Sequence, residues 1–253
     1  MRRNPFDMKI LVCISNVPDT TAKVKFTNNT ELIKDNIQWI INPWDELALT
    51  RAIELKETHP DLIESITVIN VGSKETEPTI RKALAIGADD AIRINTEPKD
   101  SFYVAHQLAK FALDFDMILC GIESSDYQGG ATGEMLAEIC NLPSISGVSH
   151  VDIVDNQPLV TREVKRGNEI LSVSLPFVAI IQKGIAHAPK IAAIRGIMMA
   201  RKKSLKIIEP MDTNCLIEYI DFELPPSKAA CKLFKEDEVN QLVETLHNKA
   251  KVL

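Results

Sequence analysis

Across 253 residues the chain carries 29 lysines and arginines against 35 aspartates and glutamates, a net charge of −6, and it is 45% apolar and 25% charged. Those proportions suit one sizeable packed core with an appendage and do not suit a disordered chain. The negative balance excludes a surface built for nonspecific nucleic-acid binding, and no apolar run is long enough for a membrane-spanning helix.

Short β-rich runs alternate with helical patterns over the first two-thirds of the chain. After the basic start Met1-Arg-Arg-Asn-Pro-Phe-Asp7, which lacks the apolar stretch of a secretory signal, Ile10–Ile14 is a continuous apolar run suited to a strand covered on both faces. Val24–Phe26 and Ile37–Ile41 read as shorter strands with Thr27–Thr30 as the turn between them. Asn42-Pro43 opens a helix that runs through Lys56, with Asn as N-cap and Pro at the first helical position. There follow strand Ser65–Val71, helix Glu75–Ile86 ending at Gly87, strand Ala91–Ile94, helix Phe102–Leu113 and strand Met117–Gly121. Beyond the helix Glu134–Cys140 and Pro143 come the β runs Ile145–Val154, Leu159–Val164 and Ile170–Ser174. Their turns, Asp155-Asn156 and Arg166-Gly167-Asn168, suit antiparallel hairpins. Phe177–Ile181 returns to the main sheet, a helix spans Lys190–Arg201, and from Pro210 the chain has few core-forming runs, with a terminal helix over Glu236–Asn248.

This pattern predicts an α/β fold: a doubly wound, mostly parallel sheet with a small antiparallel β insertion and an extended C-terminal arm. The nucleotide-binding domain covers residues 1–209, with the insertion at about 144–175, and residues 210–253 form an arm that either packs on another chain, as its scarcity of core-forming runs suggests, or folds back on its own domain. The five cysteines and five histidines are dispersed without disulfide or metal-ligand spacing, so no metal is expected and the chain is expected inside the cell.

In a doubly wound sheet, ligands settle at the carboxyl ends of strands where the strand order reverses. If the first and fourth long strands are neighbours, the polar turn Ser15–Thr20 meets the glycine-rich loop Gly121–Gly133 there, with Asn42–Asp45 beside them. Gly129, Gly130 and Gly133 permit close backbone approach, and the amides of the following helix favour an anion. The grouping suggests adenine held by hydrogen bonds, with phosphate near Gly129–Gly133. Neither the dinucleotide fingerprint nor the P-loop lysine motif is present, which argues against an NAD dehydrogenase. No Ser/His/Asp set or helix-borne metal motif appears, so a nucleotide bound here is structural or regulatory and the chain is not itself an enzyme.

Several separated motifs resemble the β (small) subunit of electron-transfer flavoprotein. They are Lys9-Ile-Leu-Val-Cys13 with Val17-Pro-Asp19; Asn42-Pro-Trp-Asp-Glu46 with Ala52–Lys56; Arg81–Asp89; Gly121 through Thr132-Gly133; Arg162-Glu-Val164 with Leu175-Pro176; and Pro189 with Ile197–Lys203. The resemblance is collinear over nearly the whole chain. It implies a heterodimer with an α subunit that holds most of the FAD, while this chain walls part of the flavin environment and buries an AMP. It further implies acyl-CoA or other dehydrogenases as electron donors and a quinone oxidoreductase or another acceptor, in a bacterial cytosol or a mitochondrial matrix.

Carried over by position, the AMP site would use Cys13, Asn42, Pro43, Trp44, Asp45 and Val71. It would also use the loop residues Gly121, Ile122, Glu123, Ser124, Ser125, Asp126, Tyr127, Gln128, Gly129, Gly130, Ala131 and Thr132. The dehydrogenase-docking loop matches Ile185–Arg195, with Ile194 as its apolar docking residue; the alternative is a core position on the helix Lys190–Arg201, and exposure separates the two. Where the family commonly has Asn-Gln-Thr-Gly, this chain has Gly130-Ala-Thr-Gly133, which leaves main-chain amides to hold phosphate. Relatives that split electron pairs carry a second FAD at this site with an Asp-Gly-Asp-Thr-Ala-Gln type of loop that is missing here, and the retained Thr132-Gly133 points to AMP. A further alternative is a stand-alone nucleotide-binding module of the universal-stress-protein kind; the β-rich insertion and the long tail argue against it.

Overall fold

The computed structural model describes residues 8–27, 31–228 and 230–252. Within them the backbone divides into two units, residues 8–24 with 33–220, and residues 25–32 with 221–252.

The larger unit is built on strands whose side chains alternate between two apolar layers. In β1 (Met8–Cys13), Ile10 and Val12 enter one buried cluster while Leu11 and Cys13 enter the other, which is why the run is apolar without interruption. After the short β2 (Asn16–Pro18), the chain makes an excursion through β3 (Phe26–Thr27) and β4 (Glu31–Leu32), which pair with each other in the second unit. It returns as β5 (Trp39–Ile41), antiparallel to β2. The expected pairing of Val24–Phe26 with Ile37–Ile41 is therefore corrected. Asn36, in a left-handed conformation (φ 62°), turns the chain before β5, so the β5 run pairs instead with the segment that leaves β1. Of the expected turn Thr27–Thr30, residues 28–30 lie outside the described residues.

Helix α1 (Pro43–Thr58), strand β6 (Ile63–Val71), helix α2 (Glu77–Ile86), strand β7 (Asp90–Ile94), helix α3 (Ser101–Ala112), strand β8 (Met117–Gly121) and helix α4 (Thr132–Cys140) follow within two residues of the expected limits. The β-rich segment forms β9 (Ser144–Val154), β10 (Gln157–Val164) and β11 (Gly167–Ser172), and β12 (Phe177–Ile181) returns to the centre. Asp155 and Asn156 both take positive φ, 51° and 62°, the geometry that two-residue hairpins favour.

The nine-stranded sheet runs β11-β10-β9-β12-β8-β1-β6-β7 and ends on β13 (Leu205–Ile208), an edge strand absent from the sequence expectation. Pairs from β12 to β13 are parallel; β9 runs parallel to β12 over its first half and antiparallel to β10 over its second. Helices α1 and α2 cover one face, α3 and α4 the other. The doubly wound architecture is thus as expected, and the first and fourth long strands, β1 and β8, are neighbours. The helix expected over Lys190–Arg201 is shorter, α5 (Ile194–Ala200): residues 190–193 are not helical, and Ala193, just before it, is extended.

Phe177 lies fully buried in β12 between two parallel neighbours, with helices on both sides. Phe177→Ala is expected to lower stability by about 3–5 kcal/mol, the cost of a large buried void, read as a shift in the urea midpoint at unchanged slope.

Candidate functional site

The switch point falls between β1 and β8: the chain progresses from β1 toward β6 and β7, then crosses back to β8 on the other side of β1. Its two carboxyl-end turns are joined by the first turn of α1. Asp45, only 4% exposed, accepts hydrogen bonds from the Ser15 amide (2.8 Å) after β1 and from the Gly121 amide (3.0 Å) at the end of β8. Asn42, 1% exposed, donates from Nδ2 to the Glu123 carbonyl (2.8 Å) and accepts from the Ser125 amide (3.1 Å). Asn42 occupies the N-cap position of α1 but makes no side-chain cap bond; its amide is committed to the loop.

This fit requires Gly121. A Cβ there would stand 2.2 Å from Asp45 Oδ1 and 2.8 Å from Trp44 Cβ, so any other residue would break the clamp. Gly133 serves packing: a Cβ would meet Ile180 at 2.8 Å, so its role is to seat α4 on the sheet. Between these glycines the loop rises into solvent. Ile122 is still tied to β12 through the Ile181 carbonyl, whereas Asp126 through Gly130 are exposed, with Gln128 (φ 52°) and Gly130 (φ 57°) left-handed. Ala131, the residue before α4, offers no side-chain cap, so the first-turn amides of α4 are left for another acceptor.

Of the residues singled out in the sequence, the structure brings Asn42, Asp45, Gly121, Glu123 and Ser125 into direct contact. Cys13 and Val71 lie at the carboxyl ends of β1 and β6, facing the layer of α3 and α4. A hydrogen bond to Cys120, together with burial, holds the Cys13 thiol protonated, well above its ordinary range. Pro43 and Trp44 are half-buried in the first turn of α1, and Ile122, Ser124, Ala131 and Thr132 are half-buried along the loop. Ile194 is not a core residue: it is 80% exposed at the start of α5.

Other polar residues that hold the β1 turn went unnoticed in the sequence. Asn70, buried near the end of β6, donates to the Ile14 carbonyl (2.9 Å) and accepts from Thr76 (2.8 Å); Thr79 donates to Asn16 (2.6 Å). The available signal was Asn70 itself, a polar side chain inside the apolar run Ile66–Val71.

Burial pushes the Asp45 carboxyl up to about 7, against the lowering effect of the Ser15, Asn42 and Gly121 donors. The folded state thus binds this proton more tightly than the unfolded chain does. The contribution is fully present below about pH 4 and declines as pH rises toward 7.

A doubly wound α/β sheet whose switch-point turns are tied together by buried polar side chains is the architectural class of this chain. Residues 30–213 match the family model of the Electron transfer flavoprotein domain. The chain is 32% identical over 262 residues to "Electron transfer flavoprotein subunit beta" of Bacillus subtilis (strain 168), covering 97% of this chain and 100% of that one. It is 33% identical over 252 residues to the protein of the same name in Dictyostelium discoideum, covering 96% and 98%. To "Electron transfer flavoprotein subunit beta, mitochondrial" of Oryza sativa subsp. japonica it is 30% identical over 258 residues, covering 97% and 100%. The chain belongs to the electron transfer flavoprotein family.

Two measurements check the clamp. Asn42→Ala should cost about 1–3 kcal/mol, the penalty for stranding buried partners, and should speed amide exchange at Ser125. In Asp45→Asn the decline in stability attributable to Asp45 between pH 4 and about 7 should vanish, seen as a difference between the two proteins' unfolding midpoints across that range.

Proposed function

We propose that the chain is the small, noncatalytic subunit of a heterodimeric electron transfer flavoprotein. In this reading it holds a structural AMP at the switch-point cleft and forms part of the environment of an FAD that an α subunit holds for the most part. The observation that carries the reading is the buried Asn42–Asp45 clamp, which assembles the turns of β1 and β8 at that cleft. Its end-to-end likeness to proteins named as beta subunits supplies the family context.

The residues present suit a mononucleotide. Asn42 and Asp45 fix the loop without spending the exposed amides of its outer limb, and Gly130, at φ 57°, turns that limb toward the uncapped start of α4. A phosphate there would take main-chain N–H donors, in keeping with the small side chains of Gly130 and Ala131. The flavin, when bound across the pair, supplies the electron-accepting and electron-donating chemistry. The chain's own residues bind, orient and exclude water.

Two apolar surfaces fit the partners. In the second unit α6 (Val239–Thr245) has no buried residue, and Leu224, Leu233, Val239 and Val252 are exposed, as suits an arm that covers an α subunit. On α5, Ile194 and Met198 project into solvent beside Arg195 and Arg201, as suits docking to an electron-donating dehydrogenase such as an acyl-CoA dehydrogenase. Delivery then goes to a quinone oxidoreductase or another acceptor, in the bacterial cytosol or the mitochondrial matrix.

Co-purification with its α partner, followed by release and identification of the nucleotides, tests the reading: AMP equimolar with this chain, with FAD in the pair, is expected. Gly130→Val, which forces a β-branched residue to positive φ, should remove most of the AMP and leave the FAD. Two FAD and no AMP would replace this reading with an electron-bifurcating one, and AMP retained in full by Gly130→Val would contradict the pocket.

A further inference from the structure

Helix α5 is a structural oddity. It is seven residues long, well short of the 12–15 at which isolated helices become even marginal, and it carries a glycine in its first turn. Ala200 is its one buried residue. Hydrophobic burial therefore contributes little to holding it, beyond Ala200. Beside the contact of α5 with α2 lies a groove of about 660 Å³ lined by Pro78, Lys82, Ala85, Ile191, Ile197 and Arg201 among others, so the two helices pack closely on one side and leave apolar surface open on the other.

What holds α5 is a reciprocal capping of carbonyls. Arg81, on α2, donates from Nη1 to the carbonyls of Ala200 and Lys203, both at 2.9 Å, at the carboxyl end of α5. In return Lys203 donates from Nζ to the carbonyls of Leu84 (3.0 Å) and Ala88 (2.5 Å), at the carboxyl end of α2. Each cation satisfies acceptors that a helix terminus leaves open and meets the negative end of the other helix's dipole. At the near end Gly196 rests on α2: a Cβ there would stand 2.4 Å from the Ala85 carbonyl oxygen, a contact with backbone that cannot swing aside. The arrangement seats α5 while using almost none of its side chains, which leaves Ile194 (80% exposed) and Met198 (68%) facing outward, and Ile191 (89%) in the segment just before the helix is exposed as well.

We infer that Arg81, with Lys203 and Gly196, is a positioning residue for electron-transfer docking: it preorganises the apolar patch Ile191, Ile194 and Met198 without touching the partner. The inference rests on the reading of α5 as the dehydrogenase-docking element. A preformed patch spares the partner the ordering cost of a frayed seven-residue segment, so losing the anchor weakens encounter and leaves the transfer step alone.

The test uses the complete heterodimer with its flavin, assayed with its acyl-CoA dehydrogenase donor, in the variants Arg81→Gln, Arg81→Lys, Gly196→Ala and Ile194→Ala. In Arg81→Gln the KM for the heterodimer should rise about five- to tenfold, the scale of one or two lost charge-assisted bonds, with kcat and the flavin absorption spectrum unchanged. Amides of residues 197–203 should exchange faster, and Arg81→Lys should recover part of both effects. Gly196→Ala, which leaves the capping cations in place, should raise KM in the same way and keeps the idea testable if Arg81→Gln does not fold. An unchanged KM in both Arg81→Gln and Gly196→Ala, or unchanged exchange over 197–203, would overturn the inference. If Ile194→Ala leaves KM unaltered, the docking reading itself falls, and the inference with it; faster exchange in Arg81→Gln would still show the anchoring, which separates that failure from a failure of Arg81 to hold the helix.

Discussion

A carboxylate and a carboxamide, both buried one turn apart at the start of α1, decide where the two crossover turns lie. Burying Asp45 and Asn42 is unfavourable unless their polar atoms find partners, and the structure supplies them from two segments more than a hundred residues apart in sequence: the amide after β1, and amides and a carbonyl after β8. The same contacts hold the loop's base while its outer limb, Asp126 through Gly130, stays exposed. Because the acceptors sit so near the β8 terminus, residue 121 has no space for a side chain. The glycine at the start of the loop is thus dictated by the clamp, and those further along, where Gly130 is left-handed, by the shape of the loop itself.

A second polar layer supports the first. Asn70, Thr76 and Thr79 hold Ile14 and Asn16 from the β6 side, so the β1 turn is bonded from both flanks. Gly72 is squeezed between Asn70 and Thr76, where a Cβ would lie 2.4 Å from the Thr76 methyl carbon. Small residues and short polar side chains therefore form a connected scaffold across the carboxyl edge of the sheet, and the apolar layers beneath it need only carry stability. Networks of this kind fix geometry because a partly satisfied buried group is more costly than none.

Much of this was legible in the sequence, for identifiable reasons. Continuous apolar runs such as Ile10–Ile14 and Phe177–Ile181 are the length of strands covered on both faces, and their alternation with helical patterns reads as a doubly wound sheet; the meeting of the β1 and β8 turns rested on an assumed strand order, which the sheet bears out. Local turn chemistry fixed the hairpin at Asp155-Asn156. What escaped depends on contacts distant in sequence. No local feature tells that Trp39–Ile41 pairs with Asn16–Pro18, or that Asn42 spends its amide on residues 123 and 125 instead of on its own helix. Leu205–Ile208 is a four-residue run with a lysine inside it, and becomes a strand because β7 offers an open edge. The helical pattern over Lys190–Arg201 overreached at its start, where Ala193 is extended, and the spacing of its apolar residues cannot tell outward presentation from inward packing in a one-dimensional reading.

That last ambiguity is informative about the molecule. In a self-contained domain, apolar side chains are gathered inside and exposed ones are scattered. Here Asn42 and Asp45 are buried and satisfied at the switch point, while α5, whose carboxyl end Arg81 caps, and the arm beyond Ile220 keep large apolar side chains exposed. In the proposed heterodimer, assembly is what would bury the apolar area of α5 and the arm and so balance the cost of ordering them.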